Sequence, residues 1–386
     1  MEENLILNNF KCKINLKEKK GLYQHLNKIK YLDLPEFFKS FKKNYKYSYN
    51  KKIVQKYKKH KIINIIGMGG SSLGTKAIYN FLKDKIKKKV TFSENLNLKK
   101  DKKNNGLNVI ISKSGNTLET IVNFNTKFNN KNKNIFITEN NNNYLRKLAY
   151  KLKSDVIEHK NFIGGRFSVL SEAGMLPAEL MGLDESKFKQ FNSLIVKKDF
   201  LNNLIKNVLS IYKYTKNKKH NSVILNYDPY SEDLFKWYQQ LVSESLGKNS
   251  KGIIPIISSM PKDNHSILQL YLSGFKSNFY TFYIVEQKNS AKLNSKLLFD
   301  KFTFLKRKNS FEILNTQRIA TENVFKNKKI PFRSFYIKKR NEETLGKLFC
   351  FFTLEVILLS RLLKVNPLDQ PEVELVKKET FKILED

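Results

Sequence analysis

Two stretches of this chain share one pattern. An apolar, β-branched run breaks into a turn of glycine, serine and threonine, and the turn leads into an amphipathic segment. The first is NIIGMGGSSLGTKAI, residues 64 to 78, and the second is IISKSGNTLET, residues 110 to 120. A strand that gives way to a helix in this manner reaches its next neighbour by a crossover, which lays the strands parallel and puts helices on the sheet faces. The alternation continues in KNIFIT (133 to 138) and starts again near residue 220 with NSVILNY, GIIPIIS, FYTFYIVEQ and IPFRSFYIKK. Two α/β units in tandem follow, as expected for a chain of 386 residues, well beyond the roughly 250 to 300 at which single cores stop growing. The Lys- and Tyr-rich first 60 residues read as surface helices leading to the strand KIINIIG. Residues 341 to 363 read as a helix apolar nearly all round, hence buried, interrupted by Thr353 and Glu355.

The 72 Lys and Arg residues against 35 Asp and Glu give a net charge of +37, which would suit a nucleic acid or an anionic surface. The lysines, however, run from end to end without forming a block, asparagine is abundant too, and seven of the basic residues are arginine. This is drift of the whole composition toward Lys and Asn; it speaks against a nucleic-acid partner, and it makes each retained arginine informative. Cys12 and Cys350 lack metal-ligand or redox spacing and read as free thiols in a reducing compartment. The start MEENLILNNF has no basic leader followed by an apolar core, and no run reaches the roughly 18 to 20 apolar residues of a span. A soluble, cytoplasmic protein without a membrane partner is the expectation.

The glycine loop invites comparison with a dinucleotide fingerprint. Gly67 and Gly69 fit, but Ser72 stands at the sixth position, and the acidic residue expected about 20 residues on is available only as Glu94 in a weak context. What remains is a strand end with amides bared by glycine (Gly70) and hydroxyls at a helix start (Ser71, Ser72), suited to an anion or a sugar hydroxyl; a glycine turn with a serine cap is the plainer alternative. In the second loop Ser112, Ser114, Thr117 and the amides near Gly115 form a nest of donors, with Lys113 adding charge, enough to hold one phosphate; an ordinary capping turn is the alternative. Arg166, in GGRFSVLSEAG, follows two glycines that allow close backbone approach or a positive φ, and its planar donors suit a developing oxyanion or a structural ion pair.

Residues 231 to 247 read as a helix capped by Ser231 and ended by Gly247. Trp237, Leu241 and Glu244 share one stripe, and Gln240 lies one turn before Glu244. An inward carboxylate at a helix C-terminus binds a proton more readily, which suits a general base; pairing with Lys248 at the surface is the alternative. In SSMPKDNHSILQLYLSG, Asp263 or Asn264 caps a helix that His265 opens, which would keep the imidazole neutral for proton shuttling or leave it a capping or core residue. In the last helix, begun by Pro371, Val373, Val376, Thr380, Phe381 and Leu384 form a stripe with Lys377 in its middle and Lys378 pointing elsewhere, so that Lys377 either has a task or snorkels.

Together these segments resemble the phosphoglucose isomerase family, in order, from about residue 60 to 380. IIGMGGSSLG looks like its sugar loop, SKSGNTLET like its phosphate loop, and GGRFSVLSEAG like its arginine signature. QQLVSESLGK, NHSILQLYLSG and NPLDQPEVELVK are similar to its glutamate, histidine and lysine segments. The resemblance implies two sugar-isomerase domains, each a parallel five-stranded sheet in a three-layer αβα sandwich. Residues 1–205 would hold an N-terminal extension and the first domain, 206–366 the second, and 367–386 a helix returning to the active site. It implies reversible interconversion of glucose 6-phosphate and fructose 6-phosphate with no metal or organic cofactor. It also implies a homodimer whose neighbouring subunit supplies the histidine matched by His265. Ser112, Lys113, Ser114 and Thr117 would bind phosphate, with Gly70, Ser71, Gln240 and Gln370 at the sugar. His265 and Lys377 would open the ring, Glu244 would move the proton from C2 to C1, and Arg166 would stabilise the cis-enediol. Glu372 and Val376 stand where the family usually has glycine. A non-catalytic sugar-phosphate-binding regulator and a nucleic-acid-binding protein are the competing functions; the joint presence of Glu244, Arg166, His265 and Lys377 favours the enzyme.

Overall fold

The computed structural model describes residues 4–12, 15–31, 35–96 and 106–385. In the first unit the strands β2 (Ile62–Gly67), β3 (Lys89–Ser93), β4 (Leu107–Ile111), β5 (Lys133–Thr138) and β6 (Asp155–Glu158) form a sheet in the order β3-β2-β4-β5-β6, parallel throughout. Helices α3 (Leu73–Phe81), α4 (Leu118–Lys127) and α5 (Tyr144–Lys151) make the crossovers. These strands are apolar on both faces because both are covered: Ile63 and Ile65 belong to the main core, whereas Ile66, Ile110 and Phe136 pack beneath α4 and α5 with Phe124 and Leu145. The polar residues of that second face form a ladder, in which Asn64 Nδ2 donates to Asn108 Oδ1 at 2.9 Å and Asn108 Nδ2 to Asn134 Oδ1 at 2.9 Å.

The second sheet has the order β1-β10-β9-β7-β8, built from β7 (Asn221–Asn226), β8 (Ile254–Ser259), β9 (Asn278–Val285) and β10 (Phe332–Ile337), all parallel, with β1 (Leu5–Asn8) antiparallel on its edge. Two parallel sheets with covering helices match the expected α/β class; the antiparallel edge strand is a departure from the all-parallel expectation. It comes from a stretch read as surface helix. That stretch does hold helices, α1 (Leu16–Tyr31) and α2 (Lys51–Tyr57), but Phe10, Phe37, Phe38 and Phe41 are fully buried. In a 3-10 turn over Glu36–Phe41, residues three apart eclipse, so Phe38 and Phe41 enter the core together.

The units join through α3 and α9 (Glu232–Leu246), which pack on each other, and through α6 (Glu172–Leu180), α7 (Phe191–Ile195) and α8 (Lys198–Lys216). The remaining helices are α10 (Leu268–Ser273), α11 (Ser310–Asn327), α12 (Glu342–Leu363) and α13 (Pro371–Glu385). As expected, α12 is buried almost throughout; it packs on α8 and α9, and its Glu355 meets Arg333 of β10 in a fully buried ion pair. Among the described residues, no helix is long and apolar enough to cross a membrane.

Candidate active site

In the first sheet the chain leaves β2 toward β3 and returns on the other side as β4, so the carboxyl ends of β2 and β4 flank a topological switch point, where open α/β sheets bind ligands. Both glycine and serine loops stand there. After β2, Gly69 takes φ +52°, and a Cβ on it would lie 2.9 Å from Gln240 Nε2. A Cβ on Gly70 would lie 2.2 Å from the carbonyl carbon of Gly165, so the two backbones touch. Ser168 Oγ then donates to Gly70 O at 3.0 Å and fastens the contact. Neither GGR glycine takes a positive φ, and a Cβ on Gly164 or Gly165 would meet only ordinary contacts, at 3.5 and 3.7 Å, so the close approach depends on Gly70 and not on the GGR glycines. Ser71 is half-buried beside them. Ser72 makes no helix cap: it is fully buried and donates to Glu94 Oε1 at 2.8 Å, while Lys76 Nζ donates to Glu94 Oε2 at 2.6 Å. The acid about 20 residues on thus serves the loop, and Ser72 is not free for a ligand.

After β4, Ser112 Oγ and Thr117 Oγ1 lie 2.8 Å apart, and Gly115, at φ +68°, donates its N–H to Ser112 Oγ at 3.2 Å. Thr117 is the N-cap of α4 without bonding it through its side chain. Ser114 is exposed, its hydroxyl accepting from Asn116 N–H at 3.3 Å, and Lys113 Nζ donates to Asn161 O at 2.7 Å with Glu139 at 3.6 Å.

The centre is Arg166, 3 % exposed, held on a 3-10 turn over Gly165–Leu170. Its Nη1 donates to Glu244 Oε2 at 2.8 Å and to Gln370 Oε1 at 2.7 Å, and Nη2 donates to Asp369 O at 2.9 Å. Burial pulls the guanidinium's pKa below its ordinary value, and the carboxylate of Glu244 opposes that pull. The stripe on α9 is as read: Trp237 and Leu241 are buried, and Glu244, at its end, is 23 % exposed. Glu244 Oε1 accepts from Gln240 Nε2 at 2.8 Å, while Gln240 Oε1 and Arg166 Nε are buried without a hydrogen-bond partner, polar atoms that a sugar's hydroxyls could satisfy. Lys248, the alternative partner for Glu244, instead pairs with Asp369 at 2.8 Å.

Two expected residues stand apart. His265 ends a 3-10 turn over Lys262–His265 and is exposed; the helix it was expected to open begins only at Leu268. The reason is Asp263, whose Oδ2 accepts from Ser258 Oγ and Ser259 N–H at 2.8 Å each, folding the chain back onto β8 before a helix can start. Lys377 is 54 % exposed and pairs with Glu374 at 2.6 Å, so it is neither buried nor unpaired. The whole of α13 is exposed, and its stripe of Val373, Val376, Thr380 and Phe381 faces Ser114, Asn116 and Thr117 across a cleft of about 1010 Å³. Lys378 lines the same cleft beside Lys377, contrary to its expected outward direction. Among the described residues neither His265 nor Lys377 bonds to the Arg166–Glu244 cluster, and no three His, Cys, Asp or Glu side chains converge as metal ligands.

Residues 36–386 match the family model described as phosphoglucose isomerase. The chain belongs to the phosphoglucose isomerase family. Among curated relatives, the glucose-6-phosphate isomerase of Methanocaldococcus jannaschii is 34% identical over 341 residues, covering 83% of each chain. That of Mycoplasmopsis synoviae is 33% identical over 361 residues, covering 84% of this chain and 83% of its own. Of solved structures, a hypothetical protein from Thermus thermophilus superposes with TM-score 0.82 over 95% of both chains at 21% identity. A glucose-6-phosphate isomerase from Chlamydia trachomatis gives 0.67 over 96% of this chain and 73% of its own, at 18% identity. At such identities the structures establish the shared fold. Within the phosphoglucose isomerase frame, motif reading names Glu94 only as an acid downstream of the glycine loop and Lys248 only as a partner for Glu244, and it gives Asp369 no part; that Glu94 anchors the first loop and Lys248 pairs with Asp369 beside Arg166 are long-range contacts without a local signal.

Proposed function

We propose that this chain interconverts glucose 6-phosphate and fructose 6-phosphate by ring opening and proton transfer between C2 and C1. The observation that carries the reading is the buried guanidinium of Arg166, which holds Glu244 at 2.8 Å beside the point where the sugar loop and the GGR backbone touch. Phosphate binds in the nest of Ser112, Ser114 and Thr117 with Lys113 nearby, and the sugar lies between Gly70, Ser71, Gln240 and Gln370. Glu244 accepts the C2 proton and returns it to C1 through a cis-enediol, and Arg166 stabilises the charge that forms on oxygen. His265 and Lys377 move the ring-opening proton between the ring oxygen and the anomeric hydroxyl. Neither reaches the cluster within one chain. A cytoplasmic homodimer, in which His265 enters the neighbour's site and α13 closes over the cleft, supplies the missing groups; the exposure of both elements supports it. The excess of 72 basic over 35 acidic residues favours encounter with an anionic substrate.

The test is a coupled assay converting fructose 6-phosphate to glucose 6-phosphate with purified chain. Turnover supports the reading. Failure on glucose 6-phosphate with success on mannose 6-phosphate would keep the chemistry and change the substrate, and inactivity on both would refute the reading.

A further inference from the structure

Lys248 lies just beyond the end of α9, and its ammonium is fully used. Nζ donates to Ser245 O at 3.3 Å, to the carbonyl of Asn366, and to Asp369, with which it forms an ion pair at 2.8 Å. Three N–H groups thus meet three acceptors, one on α9 and two on the loop between α12 and α13. The loop is braced from within, since Asn366 Nδ2 donates to Asp369 Oδ2 at 2.9 Å and Leu368 N–H to Asn366 Oδ1 at 3.1 Å. Lys251 Nζ adds a bond to Leu363 O at 2.9 Å, at the point where the chain leaves α12. The free end of this braced loop is what Arg166 binds, through Asp369 O and Gln370 Oε1.

We propose that Lys248 is a positioning residue, which aims the Arg166 guanidinium by holding residues 366–370 against the end of α9. The side chain of Lys248 is 11 % exposed and that of Asp369 is 52 % exposed, so solvent screens the ion pair and its contribution to stability is small. Its value is geometric. Arg166 has two kinds of acceptor, the loop on one side and Glu244 on the other. Without the loop, Nη2 loses its carbonyl, and the guanidinium can turn both terminal nitrogens onto the carboxylate, covering the base. The phosphate nest lies on other elements and is untouched. The inference rests on the isomerase reading of Arg166 and Glu244.

The experiment uses the full chain and the variants Lys248→Met and Lys248→Arg, with steady-state kinetics on fructose 6-phosphate and hydrogen–deuterium exchange of peptides covering residues 363–372. Lys248→Met should lower kcat at least about tenfold, the pattern of a misaimed transition-state contact, with a smaller rise in KM because Gln370 of the same loop borders the sugar. Exchange across 363–372 should rise, and Lys248→Arg, which keeps the charge and the donors, should recover most of both. An unchanged kcat for Lys248→Met overturns the proposal, as does a kcat loss with unchanged exchange. If the parent chain fails to isomerise the sugar, the functional reading falls by itself; exchange still decides whether Lys248 holds the loop, and unchanged exchange overturns that too.

Discussion

Replacing Glu244 by glutamine removes one charge and almost no volume from the end of α9. The carboxylate accepts two bonds of 2.8 Å, from Arg166 Nη1 and from Gln240 Nε2. A glutamine can keep its oxygen on Arg166 and turn its NH₂ toward Gln240, whose amide can flip to present the Oε1 that now lacks a partner. Both contacts therefore survive, but the buried Arg166 guanidinium loses its counter-charge, so the cost is about 3 kcal/mol. That corresponds to a thermal midpoint lowered by no more than a few degrees. Loss of a general base falls on the reaction instead, at about a hundredfold to ten-thousandfold in kcat, or roughly 3 to 5 kcal/mol of barrier. The variant should thus stay folded, bind fructose 6-phosphate with little change in KM, and nearly cease to turn over. A coupled assay for glucose 6-phosphate, run beside a melting curve, reads both quantities. It should also lose exchange of the C1 and C2 hydrogens with deuterated solvent. A folded Glu244→Gln whose kcat stays within about tenfold of the parent would refute the assignment of the base.

Three further outcomes are expected. A Cβ on Gly70 would lie 2.2 Å from the Gly165 carbonyl carbon, backbone against backbone, so Gly70→Ala should part the two loops and abolish activity, read with the same assay and the near-ultraviolet circular dichroism of the fold. Lys189, buried between Tyr45 and Tyr47 with Glu172, Glu185 and Cys350 close by, has its pKa pulled down by burial from 10.5 to about 7. Between those two values the unfolded chain holds a proton that the folded chain has lost, so this group makes stability rise with pH, by at most about 1.4 kcal/mol per pH unit; denaturant titrations of Lys189→Met should show that slope reduced. Mixing inactive Glu244→Gln and His265→Asn chains should restore about a quarter of parental activity if each site joins groups from two subunits, and none if sites are contained in one chain.

Much of the site was legible because its parts are local. A strand, a glycine or serine turn and a helix within a dozen residues locate the two loops at the ends of β2 and β4, and the α9 boundaries at Glu232 and Leu246 fall where Ser231 and Gly247 imply. The pairing of Arg166 with Glu244 and Gln370 joins residues 78 and 204 positions apart, which no local periodicity reports. A retained arginine marks an ion pair and not by itself a catalytic site: Arg318, Arg333 and Arg340 pair with carboxylates as Arg166 does, and Arg333, more deeply buried than Arg166, is part of the frame. Periodicity misled most at α13. Its stripe implies an apolar face on which Lys377 has a task or snorkels, yet the helix is exposed throughout and spans an open cleft. At the amino end, low hydropathy concealed Phe37, which stacks on Phe167 with ring centroids 4.0 Å apart and so braces the turn that carries Arg166.

The antiparallel strand β1 has a consequence for how the chain is made. Leu5 pairs with Ile337 and Asn8 with Ser334, so β1 finds its place only after β10, more than 320 residues later, has emerged. The β2 to β6 sheet needs no later residue for its ladder and can close during synthesis, while residues 5–8 wait at high contact order for the far end of the chain. Until they dock, the edge of β10 is open to pairing with another chain. A bulky group fused ahead of β1 would prolong that interval, with aggregation of nascent or refolding chains as its sign and a carboxyl-terminal fusion as its natural control.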